Sequence, residues 1–239
     1  MSLPEITTRE KWLIARREFL VREKSHTREG DVLNAARRQL PMVEITSEYT
    51  FDGPDGPVTL AEMFRGRRQL IIQHIMFGPG WEAPCPGCSA GVDEIAPALL
   101  RHLGSRDTTF AGVSRAPYAE IGAAREAKGW LIDWYSSHGS DFNYDFGATV
   151  DPGRPRLYTC LTGADPEAVT ESTEISGVSC FLRDGDAIFH TYSTGARGTD
   201  QLGSAYSLLD LTAFGRSERW EEPRGRAPRL HGADPTFTD

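Results

Sequence analysis

The chain has 239 residues, 39% apolar and 25% charged, and its 34 acidic against 26 basic side chains give a formal net charge of −8. A chain of this size and composition can bury a full core without disulfide staples. The acidic balance argues against nucleic acid or anionic lipid as the main partner, and the interrupted apolar runs argue against a membrane span or secretory signal, so we expect a cytoplasmic protein.

The N-terminal region, residues 1–40, is predicted to be a helical extension. Thr7 and Glu10 match a capping box that would start the helix, and Gly30 is expected to split it into two. One side chain in every seven forms a narrow stripe, here called the heptad seam: Trp12, Phe19, His26, Leu33 and Leu40. Residues 9–38 carry a net charge of +4, which leaves −12 on the remainder. Such a helix is expected to dock on its own acidic body or to mediate a homodimer.

The second region, residues 41–215, alternates strands and helices, which predicts an α/β fold. In chain order we expect an edge strand at 42–51, a short helix at 58–64, a buried strand at 69–77, a helix at 88–103 kinked at Pro97, a buried strand at 108–114, a helix at 118–128, a strand at 130–136, a hairpin of 177–182 and 187–192, and a closing helix at 201–210. The tail, residues 216–239, is predicted to be a loosely held arm.

Two of the four cysteines, Cys85 and Cys88, have C-x-x-C spacing between a buried strand and a helix. Residues three apart on a helical turn place their Cα atoms roughly 5–6 Å apart, which a disulfide accepts. At the helix N-terminus the dipole favours a thiolate on Cys85. Pro86 suits the first helical turn, and Gly87 lets the backbone approach a substrate. This pattern predicts that Cys85 attacks a disulfide and that Cys88 resolves the mixed disulfide.

Other interpretations of the cysteine pair stay open. A zinc site would have to recruit Cys160 and Cys180, which do not have ligand spacing and otherwise behave as small buried hydrophobic residues. The pair could also be inert thiols, although Pro-Gly is costly inside a plain helix. If the hairpin closes the sheet, Cys85, Cys88 and His190 would form a soft Cu(I) site. A fourth interpretation is a scaffold without redox work that acts through its N-terminal helix.

The motif Cys85-Pro-Gly-Cys88 after a buried strand resembles the thioredoxin superfamily, with a central dipeptide closer to that of glutaredoxins. More specifically, separated strings between about residues 7 and 211 are similar to a bacterial family of predicted dithiol-disulfide oxidoreductases long filed as a domain of unknown function. These strings are Phe77–Trp81, Cys85–Ser89, Val113–Pro117, Ser140–Gly147 and Phe189–Thr194. The resemblance implies a thioredoxin-like central mixed sheet flanked by helices. From the cysteine pair we expect a protein or small-molecule thiol or disulfide as substrate, and no cofactor or metal.

The chain departs from the wider superfamily in two places. Thioredoxins carry a cis-proline before the strand that faces the active site, and here Gly177 or Val178 is expected at that position. The peroxiredoxin pattern P-x-x-x-[ST]-x-x-C is also absent, because before Cys85 the chain has Gly78 where the pattern requires proline and Glu82 where it requires Ser or Thr. A peroxidase of that type is therefore disfavoured. The dinucleotide-like string from Gly78 is discounted too, because the following prolines keep the loop extended.

Five further residues are candidates for supporting roles around the cysteines. His74 is expected to be a hydrogen-bonded core histidine, with a proton shuttle as the alternative. Glu82 either accepts a proton from Cys88 or is an exposed loop carboxylate, and Trp81 precedes it in the same loop. Arg115 lies at the carboxyl end of a strand, where it would assist an anion or form a surface ion pair. His190, on the hairpin, would approach the cysteines if its strand closes the sheet.

Overall fold

The computed structural model describes residues 5–152, 154, 171–199, 203, 205–219, 221–224, 227, 229 and 230. Its helices are α1 (Arg9–Arg37), α2 (Leu60–Met63), α3 (Pro86–Asp93), α4 (Pro97–Gly104), α5 (Tyr118–Lys128), α6 (Phe142–Asp145) and α7 (Ala205–Leu209). Its strands are β1 (Val43–Glu44), β2 (Thr50–Gly53), β3 (Gly56–Thr59), β4 (Gln69–His74), β5 (Thr108–Ser114), β6 (Asp133–Ser136), β7 (Thr149–Val150), β8 (Thr173–Glu174), β9 (Gly177–Asp184) and β10 (Ala187–Gly195).

One mixed sheet organises the molecule, with strand order β1-β10-β9-β4-β5-β6-β2-β3. The three strands β4, β5 and β6 run parallel, as strand–helix–strand connections require. The hairpin β9–β10 adds to β4 in antiparallel orientation. A parallel strand–helix–strand unit whose first strand pairs with a later antiparallel hairpin is the thioredoxin-like arrangement, so the expected fold class is confirmed.

The sheet separates two apolar cores because successive side chains of β4 point to opposite faces. Ile71 faces α3, α4, α5 and α7, and this side is called the cysteine face because it contains Cys88. Leu70 and Ile72 face the other side, called the aromatic face. Its members include several buried rings: Tyr49, Phe51, Phe64, Phe142, Phe146 and Phe181. Both faces of β4 and β5 are covered, which explains why Leu70, Ile71 and Ile72 follow one another without apolar–polar alternation.

Helix α1 differs from its prediction in three respects. Its N-cap is Thr8, whose hydroxyl accepts from the Lys11 N–H, so the capping box expected at Thr7 is wrong. The helix continues through Gly30, since a single glycine costs only about 1 kcal/mol in a helix of 29 residues. None of its side chains is buried, and the heptad seam is exposed rather than docked on the described part of the body. Its contacts with the body lie at its C-terminal end, where Arg37 donates to the Asp210 carbonyl.

Several boundaries inside the second region also differ. The expected helix at 88–103 is broken rather than kinked, because Pro97 has no N–H to donate and stands at the first position of α4. The segment 58–64 begins as β3 and becomes helical only after Thr59, which forms a capping box with Glu62. The expected strand at 42–51 contains only β1 and the start of β2. Of the closing helix expected at 201–210, residues 201, 202 and 204 lie outside the described residues.

The start of the C-terminal tail, at residues 216–219 and 221–224, makes ion pairs with Asp210 and Arg38. The Arg216 guanidinium donates to both Asp210 carboxylate oxygens, at 3.0 and 2.6 Å. Glu221 forms a buried ion pair with Arg38 at 3.2 Å. Residues 231–239 lie outside the described residues, and the division at residues 40 and 215 stays a prediction. No helix in the described part of the chain is long and apolar enough to cross a membrane.

Candidate active site

The two cysteines lie where the loop after β4 enters α3. Cys85 is the N-cap of α3 and is half-buried, with Pro86 at the first helical position as expected. Its N–H donates to the Met76 carbonyl at 2.9 Å, and its own carbonyl accepts from the Ser89 N–H at 2.9 Å. These hydrogen bonds tie both sides of Cys85 to the framework. Gly87 brings its backbone close, because a Cβ there would stand 3.9 Å from Cys85 Sγ.

Both cysteines are free thiols that line the same pocket. Cys88 Sγ accepts from the Met76 N–H at 3.5 Å and from the Ser176 hydroxyl. Burial, followed by the proximity of Cys85, raises the pKa of the Cys88 thiol, and the hydrogen bonds from Ser176 and Met76 oppose that rise. The site therefore holds a half-exposed sulfur at a helix N-terminus beside a buried sulfur that has fixed hydrogen-bond donors.

Ser176 is a site residue that the sequence analysis missed. The sequence predicts Gly177 or Val178 at the position of the thioredoxin cis-proline, whereas the hydroxyl beside the cysteines comes from the residue just before β9. The register explains this placement, because His74 at the end of β4 pairs with Gly177 and brings the preceding residue level with the loop. No motif marks Ser176 in the sequence, and only the strand register identifies it.

A pocket of about 370 Å³ opens beside the two thiols, between α3 and the start of β9. Its described lining consists of apolar and uncharged polar groups: Gln73, Met76, Cys85, Gly87, Cys88, Gly91, Ile95, Phe110, Ser176, Gly177, Val178, Thr199 and Leu208. This volume is within the usual range for a small-molecule site.

The two candidate histidines lie on the opposite face of the sheet from the cysteines. His74 Nε2 is 2.9 Å from Ser179 Oγ, which is 2.8 Å from Ser193 Oγ, and this hydroxyl is 2.7 Å from His190 Nε2. His74 is thus a hydrogen-bonded core histidine. The expectation that His190 approaches the cysteines is wrong, because its ring packs on Phe146 in the aromatic face. Burial lowers the pKa of His74 to about 3 and also lowers the pKa of His190.

Arg115 is engaged in a partly buried ion pair. Its Nε donates to Glu174 Oε1 at 2.8 Å, and its Nη1 donates to the Tyr144 hydroxyl at 2.6 Å. This geometry supports the ion-pair interpretation over an anion-binding role. In the loop before the cysteines, Glu82 is exposed, and Trp81 is 39% exposed and lies over Gly78. None of these residues lines the pocket.

Comparison with protein families assigns the chain to one family. The model of a family described as "Bacterial protein of unknown function (DUF899)" matches residues 1–232. The chain belongs to this family. Among curated proteins, none matches the DUF899 chain.

Solved structures similar to the DUF899 chain share little sequence with it. One shows the bacterioferritin comigratory protein of Xanthomonas campestris, studied for alkyl peroxide reduction, with 13% identity, a TM-score of 0.43, and coverage of 64% of this chain and 87% of that one. A second is peroxidoxin BcpB from Mycobacterium tuberculosis, with 13% identity, a TM-score of 0.45, and coverage of 72% and 97%. A third is the apo Sco1 protein from Thermus thermophilus, with 14% identity, a TM-score of 0.41, and coverage of 72% and 91%.

The metal sites considered for the DUF899 chain are not assembled among its described residues. Within that part of the chain no three His, Cys, Asp or Glu side chains cluster at metal-binding distance. The Cu(I) site with His190 is excluded by the sheet that separates this residue from the cysteines. Cys180 is buried in β9, where burial raises the pKa of its thiol to about 12, and Cys160 lies outside the described residues.

Proposed function

We propose that the DUF899 chain is a thiol–disulfide oxidoreductase that cycles Cys85 and Cys88 between dithiol and disulfide. The observation that carries the proposal is the position of two free thiols, three residues apart at a helix N-terminus, in the wall of one open pocket. Residues three apart at the start of a helix have Cα atoms within the range that a disulfide accepts, so this pair can close with little movement of the backbone. A core of this size does not need a disulfide for stability, which favours a chemical role for the pair.

Cys85 is the attacking residue in this proposal. Its sulfur is the more exposed of the two and lies at the N-terminus of α3, in the wall of the pocket. The Cys85 thiolate attacks one sulfur of a substrate disulfide, and the other substrate sulfur leaves as a thiolate that takes up a proton. The product of this step is a mixed disulfide between Cys85 and half of the substrate.

Cys88 is the resolving residue. Its buried position keeps it from attacking the substrate directly, and its place in the first turn of the helix that Cys85 caps puts it beside the mixed disulfide. Once deprotonated, Cys88 attacks Cys85 Sγ and releases the second substrate thiol. Two protein thiols are then oxidised to one disulfide, while one substrate disulfide is reduced to two thiols.

Two serine variants test these roles. Cys85→Ser should abolish disulfide reduction, whereas Cys88→Ser should retain the first step and accumulate a mixed disulfide that is visible by mass spectrometry. The proposal is wrong if Cys85→Ser still reduces disulfides, or if Cys88→Ser traps no adduct while the native protein turns over.

The alternative function is a Cu(I) or thiol-ligand carrier that uses the same two sulfurs without turnover. Cu(I) prefers soft thiolate ligands, and the two cysteines supply two of them. Elemental analysis of protein purified under reducing conditions separates the two functions. Stoichiometric copper on a protein that reduces no disulfide would favour the carrier, whereas a metal-free dithiol that turns over excludes it.

A further inference from the structure

The pocket beside the cysteines is uncharged in its described lining. Its polar contributors are the amide of Gln73, the hydroxyls of Ser176 and Thr199, and the two thiols. The remaining side chains are apolar, and three of them, Phe110, Val178 and Leu208, are buried at 6%, 4% and 2% exposure. A substrate half that enters this pocket therefore loses water and meets no charged side chain among these residues except the Cys85 thiolate that attacks it, and free dithiothreitol also attacks as a thiolate.

This lining differs from that of other pockets in the same molecule. A pocket of about 290 Å³ at the C-terminal segment has three arginines and two glutamates in its lining: Arg38, Arg219, Arg224, Glu218 and Glu221. Another, of about 300 Å³, is lined by Glu48, Asp141 and Asp145. These two pockets are lined by charged side chains, whereas the described lining of the pocket beside the thiols contains no Lys, Arg, Asp or Glu.

The polar groups of the pocket are arranged to meet a neutral ligand. The Gln73 Nε2 points toward α3, since a Cβ on Gly91 would stand 3.7 Å from it. The absence of a side chain at Gly87, Gly91 and Gly177 leaves room between α3 and β9. An amide and two hydroxyls can hydrogen-bond to a hydroxyl or carbonyl, but they cannot neutralise a carboxylate or an ammonium group.

We propose that this pocket selects compact, uncharged, largely apolar small-molecule disulfides over charged ones. The inference rests on the proposed function and adds the substrate class of the same site. Its physical basis is desolvation, because an apolar group gains free energy on entering such a pocket, whereas an unpaired charge loses its hydration without compensation. In the reaction, Cys85 and Cys88 become a disulfide while the neutral R–S–S–R takes up two electrons and two protons to give two R–SH.

Three small disulfides of similar length test the proposal on the full chain. They are bis(2-hydroxyethyl) disulfide, which is neutral, cystamine, which is dicationic, and 3,3′-dithiodipropionate, which is dianionic. Each rate of oxidation of the reduced protein is divided by the rate of the same disulfide with free dithiothreitol, which removes intrinsic reactivity. We expect the neutral compound to react at least about tenfold faster than either charged one on this normalised scale.

A charge placed in the pocket provides the second arm of the test. Gln73→Glu introduces a carboxylate of nearly the same shape, and Gln39→Glu adds the same charge at an exposed position near the end of α1. Gln73→Glu should raise the rate of cystamine relative to the neutral disulfide several-fold and lower that of the dianion. Gln39→Glu should leave both ratios unchanged. If the two variants behave alike, the pocket does not contact the substrate and the proposal is overturned.

The outcomes distinguish this inference from the proposed function. Equal normalised rates for the three disulfides, or a faster charged one, would overturn the substrate class while leaving the redox function in place. Reduction of a protein disulfide, such as one of those in insulin, with none of the small molecules reacting, would also overturn the substrate class and leave the redox function in place. Failure of every disulfide to oxidise the Cys85–Cys88 pair would instead contradict the proposed function itself.

Discussion

At the scale of single residues, Cys88 has surroundings that act on its pKa in opposite directions. Burial raises the pKa of its thiol, while the Ser176 hydroxyl and the Met76 N–H donate to its sulfur and lower it. A thiol attacks only as a thiolate, so these two donors set how fast Cys88 resolves a mixed disulfide near neutral pH. Ser176 is therefore a positioning residue in this account, because it acts on substrate through Cys88.

Replacement of Ser176 by alanine should slow resolution at neutral pH. Loss of one donor leaves burial less opposed, so the pKa of Cys88 rises further and its thiolate fraction falls. The expected result is a several-fold slower second step at pH 7 that recovers as the pH is raised. Rapid-quench mass spectrometry of the mixed disulfide measures it. Ser176→Thr keeps a hydroxyl and should restore the native pH profile, whereas a loss independent of pH would indicate a purely structural role.

The buried histidines on the aromatic face form a chain with Ser179 and Ser193 that has no part in the redox step. Burial, followed by the proximity of His190, lowers the pKa of His74 from its usual 6.5 to about 3. The unfolded chain therefore binds a proton at His74 at pH values where the folded chain does not. The contribution of neutral His74 to the free energy of unfolding is therefore fully present above pH 6.5 and is lost as the pH falls toward 3.

Acidification should accordingly destabilise the protein through His74. Between pH 6.5 and 5 this residue alone should cost about 2 kcal/mol of the free energy of unfolding. Urea unfolding across this pH range measures the slope, which should be shallower in His74→Gln. The matched control is His26→Gln in exposed α1, which should keep the native slope. An equal slope in all three proteins would contradict the assignment of a neutral, buried His74.

At the scale of elements, the sheet could be predicted well where burial dictates residue type. The prediction for strand β5 agrees with the structure to the residue, because a strand covered on both faces has no charged or large polar side chain. Helix α1 shows the limit of such patterns, since a repeat every seven residues marks a face without identifying what covers it. The cysteine pair could be predicted from its spacing. The separation of His190 from the cysteines could not, because this separation depends on the register of the hairpin.

Packing between elements gives a test at Gly112 in β5. A Cβ at this position would stand 2.8 Å from Ile75 Cδ1 and 3.0 Å from Trp134 Cδ1, so the strand and its neighbours would have to shift. Gly112→Ala should lower the free energy of unfolding by about 1–3 kcal/mol, measured by urea denaturation. Gly30→Ala is the matched control, because nothing lies within 4 Å of Gly30 and alanine favours helix. Equal effects of the two changes would contradict the packing described for β5.

At the scale of the whole molecule, charge and exposed apolar surface are segregated. Residues 9–38 carry +4 and the remainder −12. The same α1 exposes Trp12 at 55%, Phe19 at 51% and Leu33 at 61%, along the heptad seam. Opposite charge on the two parts makes a second copy of the chain a complementary partner for α1, as the expectation of a homodimer requires.

We expect the chain to form a homodimer through the heptad seam. Phe19→Asp should shift sedimentation equilibrium toward monomer by at least about tenfold in the dissociation constant, because it places a charge in the apolar contact. Val21→Asp adds the same charge at an exposed position turned away from the seam and should have a much smaller effect. High salt should weaken the dimer. A native protein that stays monomeric at all concentrations would contradict this prediction.

The central claim is that Cys85 and Cys88 form a reversible dithiol–disulfide couple. Equilibration of the native protein with a series of glutathione redox buffers, followed by acid quenching, thiol alkylation and mass spectrometry, tests it most directly. The account predicts one reversible two-electron transition in which both thiols disappear together, with a midpoint near roughly −270 mV for a reductant or −120 mV for an oxidant. Thiols that stay reduced across the whole series, or a Cys85 that only accumulates bound glutathione, would contradict it.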